Sequence, residues 1–144
     1  MERTIHELKK EGGKEEKILE KKHFSVLLKD ENGILPFSMK KGSVAERMGG
    51  IDSSEKSLEL FTRLLEKAMR DVIWYIGTDI LGENYYERFM FNKSGFLEIA
   101  LGEKAEIRAY FPNNKRADRF RAALKKALIK LLGKKASHLI KDIK

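Results

Sequence analysis

The densest candidate chemistry in this chain lies near its end. Lys115, Arg116, Arg119, Lys126 and Lys130 fall away from the apolar stripe of a predicted helix, with Arg121 and Lys125 flanking that stripe. Residues 114–144 carry 11 basic and 2 acidic groups, whereas the whole chain has a net charge of +8. The excess positive charge therefore sits in one segment. Cations in this pattern neutralise anions. Their partners would be the phosphates of a nucleic acid, an anionic membrane surface or the carboxylates of an acidic protein. A solvated helix face is the plain alternative, because lysines near a helix C-terminus also offset the macrodipole. No exposed aromatics are expected to interleave the patch, because Phe120 falls on the apolar stripe, and this argues against stacking on single strands.

Other chemistry finds little footing. There are no cysteines, so disulfides, thiolate catalysis and cysteine-based metal sites are excluded. His6, His23 and His138 have no metal-like spacing. The chain has no G-x-x-x-x-G-K-[ST] loop, no G-x-S-x-G elbow and no H-E-x-x-H helix. Carboxylates are plentiful, but an acid–base pair needs a spatial relation that sequence does not supply. The expectation is a non-catalytic protein with no cofactor and no metal.

The 144 residues fit one domain, with 42% hydrophobic and 36% charged residues. No apolar run is long enough to span a membrane. The N-terminus, MERTIHELKKEGGKEEK, lacks the apolar core of a secretory signal. A cytoplasmic protein is expected. The lack of glutamine and cysteine beside abundant Lys and Glu is a thermophile-like composition.

The elements that must position the basic patch follow from periodicity. Residues 1–22 read as a charged N-terminal helical arm, interrupted by Gly12-Gly13. Residues 23–133 read as a single α+β domain, and 134–144 as a basic tail that frays. Phe24, Val26 and Leu28 alternate, as do Leu35, Phe37 and Met39, around Asp30-Glu31-Asn32-Gly33. That predicts a β-hairpin, although Pro36 lies in its second strand. Ser43-x-x-Glu46 could cap a short helical turn. Asp52-x-x-Glu55 opens a predicted helix over 54–76, with Leu58, Phe61, Leu65, Ala68, Val72 and Ile76 on one stripe. Its apolar end, with Met69, Trp74 and Tyr75, would serve as core or as a partner site. Strands are predicted over 85–92, 95–101 and 105–111. Their turns set Phe91 opposite Leu97, Phe89 opposite Ile99, Ile99 opposite Ile107 and Glu98 opposite Arg108. A final helix, 115–132, would be capped by Asn113 or Asn114 and end at Gly133.

Two stretches, VLLKDENGIL and FMFNKSGFLEIALGEKAEIRAYFPNNKRADRFRAALKKALIKLL, resemble the roadblock family of dynein-light-chain-like regulators. Profilin-like and longin-like domains share much of the pattern. The resemblance covers residues 24–132. It implies the element order α-β-β-α-β-β-β-α and a five-stranded antiparallel sheet in the order 2-1-5-4-3. Pro36 would then lie on an outer strand, its nitrogen facing away from residues 24–29, and the strand 85–92 would be the edge free to pair. The resemblance also implies a homodimer through that strand and the middle helix. Its interface candidates are Leu65, Met69, Ile73, Trp74, Tyr86, Arg88 and Met90. The function so implied is a dimeric interaction or regulatory module, with a Ras-like small GTPase or another acidic protein as partner. A small nucleic-acid-binding protein using the basic helix is the alternative. The glycine pair near the N-terminus, Pro36 and the basic final helix depart from the family pattern.

Overall fold

Strands form where β-branched and aromatic residues cluster or alternate with polar ones. A computed structural model describes residues 23–37, 51–81, 84–102 and 104–144, with the backbone alone for 51–54. The strands are β1 (Phe24–Asp30), β2 (Ile73–Leu81), β3 (Asn84–Phe91), β4 (Gly95–Leu101) and β5 (Ala105–Phe111). They make one antiparallel sheet in the order β1-β5-β4-β3-β2. Two helices, α1 (Ile51–Met69) and α2 (Asn114–Leu132), pack on one face of it. A 3-10 turn (Gly133–Lys135) and a short helix, α3 (Ala136–Ile140), follow. The fold is thus α+β with a five-stranded antiparallel sheet, as expected. The predicted arm over 1–22 and the turn at Ser43–Glu46 lie outside the described residues.

Four strands are adjacent in the expected order, 24–30, 105–111, 95–101 and 84–91, while the fifth strand and one helix boundary differ from expectation. Residues 35–37 form a bend and a turn, and 34–37 include no second strand. Met39 lies outside the described residues. Asp30, itself buried, accepts the N–H groups of Ile34 at 2.9 Å and Leu35 at 2.7 Å. With Gly33 at φ 64°, this side-chain cap turns the chain under α1 instead of back along β1. Leu35 and Phe37 become core, and the Phe37 ring lies 5.3 Å from that of Phe61. Pro36 is buried in this turn and lies on no edge strand.

The sheet finds its fifth strand in β2, from residues expected to finish the middle helix. That helix stops at Met69, and Ile73–Leu81 is extended. Consequently β3 is internal, between β2 and β4, and the expected dimer edge at 85–92 does not exist. Among the described residues, the edge strands are β1 and β2. The tail is not frayed either. Ala136 and Leu139 are buried against the core, and the Lys144 N–H donates to the Leu27 carbonyl at 2.8 Å.

The core lies between the helices and Phe89, Phe91, Leu97, Ile99, Leu101, Ile107, Ala109 and Phe111, the face expected from alternation. Phe91, Phe111 and Phe120 meet with centroids 5.2–5.7 Å apart. The β4–β5 register is the expected one, with Ile99 opposite Ile107 and Glu98 opposite Arg108. The β3–β4 register is shifted by two residues, so that Phe89 faces Leu97 and Phe91 faces Gly95. The left-handed residue of this turn is Ser94, at φ 64°. Gly95 is needed within the strand, where a Cβ would meet the Phe111 ring at 2.5 Å.

The opposite face is also buried at its centre. Met90, Phe96 and Tyr110 cluster there, and burial pushes the Tyr110 phenol above its ordinary pKa. Beside them Glu98, 1% exposed, lies directly opposite Arg88 on one side and Arg108 on the other. A buried carboxylate needs such cationic neighbours, and removing it leaves guanidinium charge in a low-dielectric site. Glu98→Ala is therefore expected to cost about 3–5 kcal/mol of stability, read as a lower urea midpoint with an unchanged slope.

Candidate functional site

The helix α1 ends where Arg70 takes a left-handed conformation, φ 56°. The N–H of Asp71 then reaches back to the Glu66 carbonyl at 3.3 Å, the long bond of a Schellman cap. This turns Asp71 inward, where it is buried and pairs with Arg116 at 2.5 Å. Arg116 lies in the first turn of α2, which Asn113 caps by accepting the Arg116 N–H at 2.9 Å. The Arg116 guanidinium also lies 5.8 Å from the Phe111 ring centroid. One ion pair thus joins the C-terminus of α1 to the N-terminus of α2.

Between the two helices runs an open groove of about 500 Å³. Arg119, Lys126 and Lys130 line it from α2, at spacings that keep them on one side of the helix. Lys67 and Arg70 line it from the end of α1. Leu64, Ala68 and Ala127 supply its apolar floor, and among the described residues no carboxylate lines it. Leu60, one turn before Leu64, and Ile129, between Lys126 and Lys130, are about half exposed. Five like charges around one groove repel one another, and an anionic occupant relieves that repulsion.

The structure separates the basic residues expected to act together. Arg119, Lys126 and Lys130 converge on the groove. Arg116 serves the buried pair with Asp71. Lys115 and Lys125 are exposed but do not line the groove. Arg121 bonds Asp118 at 2.8 Å and the carbonyls of Ser25 and Lys144 at 3.1 and 3.3 Å, so it fastens β1 and the tail to α2. Lys67 and Arg70 were not among the expected contacts. They belong to a stretch without net positive charge, and only the antiparallel meeting of the helices brings them in.

The expected dimer contacts scatter as well. Leu65 and Met69 are in the core, with 0% and 1% exposure. Arg88 and Met90 are buried on the far face of the sheet. Ile73 and Tyr86 are half-buried, and Trp74 is exposed at 51%. Among the described residues, no group of three or more His, Asp or Glu side chains is arranged to hold a metal ion.

Two neighbouring arginines of α2 should therefore respond oppositely to removal. Arg116→Ala leaves Asp71 buried without its cation and is expected to cost about 3 kcal/mol or more. Arg119→Ala removes an exposed group and should stay within about 0.5 kcal/mol of the parent. Chemical denaturation of the two variants checks this.

Comparison with protein-family models, with curated proteins and with solved structures finds no match to this chain.

Proposed function

We propose that the chain is a non-catalytic interaction module whose groove between α1 and α2 takes an acidic segment of a partner protein. One observation carries this reading: five cations from two helices line an open groove to which the described residues contribute no carboxylate. The floor supports a protein partner over a nucleic acid. Leu64, Ala68 and Ala127, with Leu60 and Ile129 exposed nearby, suit a helix with an apolar stripe and acidic flanks. A phosphate backbone would use the charges and leave that apolar surface in water. A Ras-like GTPase, as the roadblock resemblance implies, would be one such acidic partner. The homodimer implied with it would need surfaces other than β3, Leu65 and Met69.

Nucleic acid remains the second reading. Its support is the basic surface beyond the groove, where Lys115, Lys125, Lys134, Lys135 and Lys141 are all exposed. Fluorescence anisotropy with two probes separates the readings: a helical peptide of glutamate and leucine, and a short DNA duplex. The peptide should bind, more weakly as salt rises. Lys126→Glu with Lys130→Glu should weaken it roughly 10- to 100-fold. Duplex binding with a steep salt slope, and none of the peptide, would transfer the function to nucleic acid.

A further inference from the structure

The two edges of the sheet are treated differently. On β1, the outward carbonyls of Ser25 and Leu27 are already taken, by Arg121 and by the Lys144 N–H. On β2, no described strand pairs with the outer side. The Ile80 N–H turns to its neighbour Asp79, which leaves the stretch before it as the open part of the edge. Exposed apolar surface gathers at the same place. Of the seven large hydrophobic side chains exposed among the described residues, five are Val72, Trp74, Tyr75, Ile80 and Tyr85. A long apolar edge of this kind is a pairing site unless something guards it.

Charge says what pairs with it. Beside this edge, between α1 and the sheet, runs a second groove of about 290 Å³. Its floor includes Ile73 and Phe89, and Glu55, Glu59, Glu66 and Glu87 line it with no cation among the described residues. Glu87 is held in place by Thr78, whose hydroxyl lies 3.0 and 3.1 Å from its two oxygens. Tyr75 bonds the same hydroxyl in turn. Arg63 pairs with Glu59 along α1 but does not line the groove. A second copy of the chain is a poor occupant. Two-fold pairing at β2 would set two glutamate-lined grooves against each other, and like charges so juxtaposed are costly.

We infer that β2 accepts an extended, lysine- or arginine-bearing segment of a partner as an added strand. Its backbone pairs with the open edge, and alternate side chains carry positive charge to the glutamates. This site lies on the other side of α1 from the basic groove and does not depend on it. It makes the protein an adaptor with an anion-binding and a cation-binding face.

Trp74 is the only tryptophan in the chain and lies on this strand, so its fluorescence reports occupancy directly. The probe is a short synthetic peptide alternating lysine and valine. It should change Trp74 emission saturably and slow amide exchange along β2. Glu59→Lys with Glu66→Lys, both on α1, should weaken it roughly tenfold or more. Lys126→Glu with Lys130→Glu should leave it within about twofold, which separates this site from the basic groove. A peptide N-methylated on its pairing edge should not bind. The inference is overturned if emission shows no saturable change, or if the N-methylated peptide binds equally well. It is also overturned if sedimentation shows the free protein to be a dimer with β2 amides already protected.

Discussion

The Asp71–Arg116 ion pair is the contact on which both grooves depend. It sits where α1 ends, β2 begins and α2 begins, and it is nearly closed to solvent. Burying two charges is costly, so such a pair contributes geometry more than net stability. It fixes the end of α1 against the start of α2. That contact aligns Lys67 and Arg70 with Arg119 and the lysines beyond it. On the other side of α1, the same junction launches β2 beneath the glutamate-lined groove. Arg116 is therefore withdrawn from the charged surface that its neighbours make.

A net charge of +8 conceals this arrangement. The helix α1 divides the surface into a side lined by lysines and arginines and a side lined by glutamates. Opposite patches on one small domain orient approaching partners, and both effects weaken with salt. Selectivity would come from the apolar floors. Each groove has one, so a partner needs both the right charge and an apolar stripe to fill it.

Much of the fold was legible in the sequence, and the failures have specific causes. Alternation identifies β1, β3, β4, β5 and the inner face of the sheet, and turn length gives the β4–β5 register. The periodicity overextends the middle helix because Val72 and Ile76 continue the stripe of Leu58, Phe61, Leu65 and Ala68. The break is a left-handed Arg70, and arginine does not advertise that conformation as glycine would. The run after it is β-branched and aromatic, which favours a strand once the helix has stopped. The lost hairpin has a comparable cause. Its turn residues are recognisable, but the Asp30 carboxylate accepts the N–H groups of both Ile34 and Leu35, one of which hairpin pairing would have used. The charge in residues 114–144 was plain. The groove was not, because Lys67 and Arg70 join it only through a contact 45 residues apart in sequence.

If the basic groove is the binding surface, the position of its cations, and not total charge, governs affinity. Two triple variants of equal net charge test it: Arg119, Lys126 and Lys130 each changed to Glu, and Lys115, Lys134 and Lys141 each changed to Glu. Titration of both with the glutamate–leucine helical peptide at one salt concentration is the measurement. Loss of binding in the first, with the second within a few fold of the parent, is the predicted result. Equal loss in both would contradict the account, because total charge and not the groove would then govern binding.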